Sequence, residues 1–425
     1  MTARQRDAAW EPLDNAAKIF PSISSKRDTK VFRFACELRE GVDPALLQQA
    51  LDETIEDFPI FRSTLREGFF WHYLKESSQR PLVQLESELP CSNLYDANNP
   101  GLLFEVSYYG RRINLEVYHA LTDGTGALQF LRALVCRYLY LRHPEGFAAP
   151  PTPLHGASFS EMAEDSFQKY YTTSSKNKVR SEPVYKLRGV RLPEGRMQII
   201  EGVLPVKAVL AAARERGVTM TVLLTALFLC AVDKNAVLRR KRHPVVAAVP
   251  VNLRNYFPSE TARNFFCTIN VGYHFGRDPG DLESVMASVR RQFEELLTRE
   301  NLAKRMNGYS ALEHNALVRV VPLGLKNIIL RIAGAIAERD HTISISNIGK
   351  VSMPAGCEQY ICLFDVFVST NILQLCLCSF GEDLTLSFSS AFRNTDVQKD
   401  FFRSLTGMGI PVEITTNRPE EEVRP

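Results

Sequence analysis

An α/β fold of mixed α+β sheets, arranged as two lobes, is predicted by three observations. The chain has 425 residues, more than one hydrophobic core ordinarily supports. Segments of helical and of strand periodicity alternate through both halves. Between about Pro144 and Arg196 the texture changes to HPEGFAAPPTPLHG, then to a polar helix-like piece, FSEMAEDSFQKYY, then to TTSSKNKVRSEP. Prolines, serines and charges there cannot build a core. The expected division is therefore 1–180 for the first lobe and 181–425 for the second, with about 144–196 as the crossover. Two packed lobes imply a cleft between them.

In the first lobe Leu46, Leu47, Ala50, Leu51, Thr54 and Ile55 recur at helical spacing. Asp43-Pro44 supplies an N-cap and a first-turn proline, so a helix is expected from Asp43 to Phe58. The aromatic GFFWHYL reads as a buried core strand, with a pocket wall as the other reading. LLFEVSYYG and RRINLEVYHA, parted by a Gly-containing turn, read as an antiparallel hairpin. The second lobe is expected to begin near Met197. It should hold a helix with Val222, Leu223, Ala226, Leu227 and Cys230 on one side, the buried strand HPVVAAVPVNLR and a charged helix from Asp281 to Glu300. Strand-like segments SISISNIGKV, YICLFDVFVS, ILQLCLCSF and DLTLSFSSAF follow. RPEEEVRP reads as a frayed tail.

Composition excludes several classes. The net charge of +3, from 51 basic against 48 acidic residues, is too balanced for a nucleic-acid partner. MTARQRDAAWEPLDNAAK has no apolar core before a cleavage site, which reads as no secretory signal. The longest apolar stretch, Ala316 to Ala337, contains Arg319, Lys326, Asn327 and Arg331. It reads as a helix, not as a stable membrane insertion. Nine scattered cysteines in apolar runs read as reduced thiols of a cytoplasmic protein. No further His or carboxylate completes a metal shell, so no metal is expected.

The stretch with the most chemistry is YHALTDGTG, residues 118–126. Strand parity places His119 on the side of Ile113, Leu115 and Val117, and two glycines beyond it permit close approach of a ligand to the backbone. Read from the residues alone, two accounts stand. His119 is either a hydrogen-bonded core histidine with Asp123 capping the next helix, or a base able to take a proton from an attacking alcohol or amine.

YHALTDG resembles the His-x-x-x-Asp-Gly core of the acyltransferase superfamily that includes chloramphenicol acetyltransferases, peptide-synthesis condensation domains and plant BAHD acyltransferases. LDNAAKIFPS, FPIFRSTLREGFFWHYL, VPVNLRNYFPSETARNFF and SISNIGKVSMP are similar to bacterial proteins of that superfamily labelled alcohol acetyltransferases. The resemblance implies two lobes of similar topology with a channel between them. It makes His119 the general base, with Gly124 closing the motif and Asp123 turned away to pair with an arginine of the second lobe. Arg254 of VNLR is the candidate, against a surface strand-end arginine. Ser344, Ser346 and Asn347 fall where related enzymes offer oxyanion donors; the other reading is a strand-end turn at Gly349. Tyr118 stands where many relatives carry a first histidine, and is a further substrate-side candidate. Its presence favours a stand-alone transferase over peptide-bond condensation.

The implied reaction is direct acyl transfer, most simply of acetyl, from acyl-coenzyme A to a small-molecule hydroxyl or amine. No cofactor is held, and no acyl-enzyme forms. An acyl carrier protein as donor is one alternative and a non-catalytic binding protein another. LRRKRH, 238–243, reads either as a site for coenzyme A phosphates or a carrier surface, or as a solvated loop. DGTGA lacks phosphate-loop spacing and no Gly-x-Ser-x-Gly elbow occurs.

Overall fold

The computed structural model describes residues 10–150, 162, 164–172, 182–236, 242–314 and 320–418. Residues 238–241 of LRRKRH, 316–319 of the long apolar stretch, 419–425 of the tail and much of the expected crossover lie outside them.

The first part of the chain runs β1 (Trp10–Pro12), α1 (Phe20–Ile23), β2 (Val31–Leu38), α2 (Pro44–Asp57), β3 (Ser63–Glu67), β4 (His72–Glu76), β5 (Gln84–Leu85), β6 (Phe104–Tyr109), β7 (Arg112–Tyr118) and α3 (Gly124–Arg142). Then come α4 (Ser166–Tyr170), β8 (Gln198–Pro205), α5 (Val206–Glu215), α6 (Met220–Lys234), β9 (Val245–Asn252), β10 (Phe266–Tyr273), α7 (Leu282–Leu296), α8 (Arg299–His314) and α9 (Leu323–Ala337). The chain closes with β11 (Ile343–Lys350), β12 (Ile361–Val368), β13 (Leu373–Phe380), β14 (Asp383–Ser390), α10 (Asp396–Gly407) and β15 (Glu413–Thr416).

Two large mixed sheets organise the lobes. The first, in the order β12-β2-β7-β6-β5, is antiparallel except where β5 runs parallel to β6. The second has the order β10-β9-β11-β13-β14-β8-β15, with β11 parallel to both of its neighbours. A small antiparallel sheet, β1-β4-β3, flanks the first. The mixed α/β class expected from the sequence is the class observed. Each lobe has its own core, but the cores do not follow chain order. Cys357, Ile361, Phe364 and Val366, from late in the chain, pack into the first core, because β12 crosses over to pair with β2.

Local chemistry explains most boundaries. Asp43 Oδ1 accepts from the amides of Ala45 at 2.9 Å and Leu46 at 3.1 Å, starting α2 one residue after the expected cap. Asp281 caps α7 through Ser284 N at 2.9 Å. The charged run expected as one helix to Glu300 is two, since α7 stops at Leu296 and α8 starts at Arg299. Helix α6 is buried almost all round rather than on one side, and Cys230 is one of its less buried members. Only the last three residues of GFFWHYL are strand, in β4, where His72 and Leu74 are buried. Gly68 donates to the carbonyl of Trp71 at 3.0 Å, which makes the first residues a hairpin tip with Phe69 74% and Phe70 41% exposed. The apolar stretch from Ala316 becomes helical at Leu323, after Pro322. Among the described residues no single helix is long and apolar enough to cross a membrane; α5 and α6 pass together only as a pair bent by 85°.

Candidate active site

The hairpin of β6 and β7 delivers His119. Both faces of β7 are buried, and its last pair, Tyr118 with Val31, sets the exit of the strand beside the start of β2. His119 N then donates to Lys30 O at 2.9 Å. Its ring is stacked on Phe20 at a centroid distance of 4.7 Å and lies 4.9 Å from Phe32 and 5.5 Å from Phe266. Burial among these rings holds the imidazole below its ordinary pKa, against the opposing pull of Asp123. The neutral, proton-accepting form is therefore favoured near neutral pH.

Asp123 turns away from the imidazole and ends the loop. Its Oδ1 accepts from the amides of Thr125 at 3.0 Å and Gly126 at 3.1 Å, capping α3. Its Oδ2 accepts from Arg254 Nη1 at 2.7 Å and Phe265 N at 2.8 Å. Arg254 also donates to the carbonyls of Thr261 and Arg263 and to Asn252 Oδ1 at 3.3 Å. The side chains of this pair are 10% and 6% exposed, so the arginine is not a surface residue. The pair ties the motif of the first lobe to the second.

The glycines have separate reasons. A Cβ on Gly126 would collide with Ala262 O and Thr122 Oγ1; Thr122 Oγ1 itself donates to Ala262 O. A Cβ on Gly124 would come within 3.2 Å of Ile348 Cδ1, at the edge of a cavity.

That cavity, of about 260 Å³, lies between the lobes. His119, Asp123, Gly124 and Thr125 line it from the first lobe, and Pro250, Asn252 and Phe266 from the second. Phe32, Phe34, Leu128, Val366 and Val368 make much of the wall apolar. Ser346 and Asn347 are in the lining, whereas Ser344 and Tyr118 are not. Ser344 is buried and donates to Ala248 O at 3.2 Å. Asn347 gives its amide to Thr221 Oγ1 at 2.9 Å and accepts from Gly349 N at 2.8 Å, where Gly349 has φ +87°. It thus holds a bulge within β11, where the register against β13 shifts between Asn347 and Gly349, and not the strand-end turn that the sequence suggests. Tyr118 is fully buried, stacked on Tyr95 at 5.5 Å and hydrogen-bonded to Ser24 Oγ at 2.9 Å.

Sequence reasoning passed over Asn264 and Asp14. Asn264 Oδ1 lies 3.2 Å from His119 Nδ1, and its Nδ2 donates to His119 O at 3.0 Å. Asp14, fully buried, accepts from Asn264 Nδ2 at 3.1 Å. Both stand inside segments that carried the resemblance, LDNAAK and ETARNFF. Nothing in their spacing shows that they meet His119. Asn252 was also missed. Its Nδ2 donates to Thr125 Oγ1 at 3.1 Å across the cavity wall. Among the described residues no three His, Cys, Asp or Glu side chains converge on a metal site.

Two mixed-sheet lobes with a cavity between them are the fold of chloramphenicol acetyltransferase-like proteins and condensation domains. The chain is similar to the solved structure of TRI101 of F. graminearum in complex with coenzyme A and deoxynivalenol (11% identity, 95% of this chain and 100% of that one covered, TM-score 0.65). It is also similar to TRI3, the trichothecene 15-O-acetyltransferase of Fusarium sporotrichioides (12%, 96% and 96%, 0.62), and to the first condensation domain of the CDA synthetase (14%, 95% and 97%, 0.60). At these identities the likeness establishes the fold. No family model and no curated protein matches the sequence.

Proposed function

We propose that this chain is an acyltransferase that moves an acyl group, in the simplest case acetyl, from coenzyme A to a hydroxyl acceptor, with His119 as general base. One observation carries the reading: a neutral-favoured histidine, clamped by aromatic rings, stands in the wall of the inter-lobe cavity. The fold supports it, since a similar structure holds coenzyme A together with a second ligand.

In this scheme the acceptor O–H gives its proton to the imidazole as the oxygen attacks the thioester carbon. The C–S bond then breaks, and the imidazolium returns the proton to the departing thiolate, leaving an ester and free thiol. Ser346, in the cavity wall, is the candidate donor to the oxyanion. Asn347 has its amide committed to Thr221 and the bulge of β11, and Ser344 and Tyr118 point elsewhere. Asp123 and Arg254 hold the loop and take no proton. Asp123, the only carboxylate in the lining among the described residues, is already met by four donors. An ammonium would enter without a counter-charge, at the cost of its hydration. That favours a neutral hydroxyl over a protonated amine.

A carrier-protein thioester is the second reading, favoured by the likeness to a condensation domain. The test is a mass-spectrometric screen of acetyl-, succinyl- and longer acyl-coenzyme A against pooled alcohols, amines and sterols, with His119→Ala in parallel. Acylated alcohols that vanish in the variant are expected. Turnover only with a carrier-bound donor would select the second reading. Equal product from the variant would remove His119 as base.

A further inference from the structure

Histidine has two neutral tautomers, and only one can accept a proton at the nitrogen facing a substrate. Which one is present is set by the hydrogen bond at the other nitrogen. Around His119 that bond is built from three distant parts of the chain.

The orientation of the Asn264 amide is fixed by its surroundings. Nδ2 faces His119 O at 3.0 Å and Asp14 Oδ2 at 3.1 Å. The carbonyl has no proton to give, and Asp14 Oδ2 already accepts from Asn264 N, so a flipped amide would set its oxygen against His119 O. The oxygen of the amide therefore faces His119 Nδ1, at 3.2 Å, and an acceptor there calls for Nδ1–H. Asp14 is anchored in turn. Its Oδ1 accepts from Ala17 N at 2.8 Å, and its Oδ2 also accepts from Asn264 N at 3.3 Å and lies 3.7 Å from Arg263 Nε. The imidazole has little freedom to swivel, with Phe20 stacked on one face and Phe32 against it.

We infer that Asn264, anchored by Asp14, is a positioning residue that holds His119 as the Nδ1–H tautomer and leaves the Nε2 lone pair free for the acceptor proton. Its catalytic consequence rests on the reading of His119 as base given above; the tautomer itself does not. Asp14 comes from the N-terminal segment, His119 from the first lobe and Asn264 from the approach to β10 in the second. Drawing the lobes apart withdraws the acceptor from Nδ1, so the base is set only when they are docked.

The test is the 15N spectrum of the full chain labelled at histidine, with the His119 signals identified by their loss in His119→Gln. Near neutral pH the wild type should show Nδ1 in the protonated range and Nε2 in the unprotonated range. In Asn264→Ala the two should converge or exchange. Asn264→Asp combined with Asp14→Asn, which exchanges amide and carboxyl and so keeps an acceptor at Nδ1 and a donor between the two residues, should preserve the wild-type tautomer and raise the pH at which Nε2 titrates. If Asn264→Ala does not fold, this exchange carries the test. An Nε2–H wild type, or an unchanged tautomer in folded Asn264→Ala, overturns the inference.

With a substrate in hand, Asn264→Ala should lower kcat about 10- to 100-fold at nearly constant KM, and the exchange of Asn264→Asp with Asp14→Asn should move the acid limb of kcat/KM upward. The two readings fail separately. The expected tautomer with undiminished turnover in His119→Gln leaves the positioning standing and removes the acyl-transfer base. The wrong tautomer with loss of turnover in His119→Gln does the reverse.

Discussion

The two faces of the five-stranded sheet differ as much as any two regions of the molecule, though the same strands build both. On one face Phe32 and Phe34 of β2, opposite Val117 and Leu115 of β7, join Val366 and Val368 of β12 beside the cavity and His119. On the other, the alternate residues form a network of charges. Arg33 donates to Glu116 at 2.8 Å and to Glu86 at 2.5 Å. Arg112 bonds Glu37 at 2.8 Å and reaches across to Glu201 of the second lobe at 2.8 and 2.9 Å. Asp365, buried, accepts from Ser387.

Residues one apart in a strand are thus given to opposite tasks. Charge is gathered where it is paired and ties the lobes together. Among the described residues the cavity face carries no unpaired charge, so a reacting group there meets the His119 imidazole and largely apolar walls. Polar bonds between lobes border the cavity at Asp123 with Arg254 and at Thr125 with Asn252.

The largest expected effect separates the faces by function. His119→Ala should cost about 10²- to 10⁴-fold in turnover while leaving the urea midpoint nearly unchanged; a large loss of stability instead would make His119 a core histidine. Arg254→Ala leaves the Asp123 carboxylate buried without its cation and should cost about 3–5 kcal/mol, read by urea unfolding and soluble yield, with activity falling alongside. Arg112→Ala, on the far face, should cost about 2–3 kcal/mol, less than a fully buried pair because the arginine is partly exposed. Its folded fraction should keep full turnover, and loss of turnover per folded molecule would break the division of labour.

The glycines sharpen the contrast on a smaller scale. Gly126→Ala must displace Ala262 or Thr122 and should destabilise by about 1–3 kcal/mol. Gly124→Ala puts a methyl toward Ile348 and should leave stability nearly unchanged while altering KM, measurable by steady-state kinetics on any accepted substrate.

The smallest effect is in pH dependence, and its sign differs between the faces. His119 is held below its ordinary 6.5 by burial. Between the folded and ordinary values the unfolded chain binds more protons, so its contribution is full above about pH 6.5 and is lost as pH falls. Asp365 is held well above 3.8, by burial first and by Glu201 next. Its contribution is full below about pH 3.8 and is lost as pH rises through the folded value. Urea midpoints of His119→Gln and Asp365→Asn against pH should diverge from wild type in opposite directions.

Much of this was legible in one dimension because it is local. The cap of α2 at Asp43, the hairpin turn at Gly110, with φ +56°, and the strand-loop-helix of YHALTDG each depend on residues within a few positions of one another. The exposed tip at Phe69 and Phe70 was misread because aromatic content predicts burial only where the strand continues, and here Gly68 turns it. The break at Leu297 was missed because charges run across both helices without a change of texture.

By itself the sequence determined the class of fold, the histidine at the end of a buried strand and the aspartate that caps the helix after it. These follow from periodicity, alternation and capping, which are properties of neighbouring residues. The tertiary structure alone decided that β12 crosses into the first lobe, that the Asn347 amide is held by Thr221 while Ser346 lines the cavity, and that Asn264 and Asp14 meet His119. Those contacts join residues 100 to 250 positions apart. No local rule governs them; they are fixed by how the two sheets bury their remaining polar groups against each other.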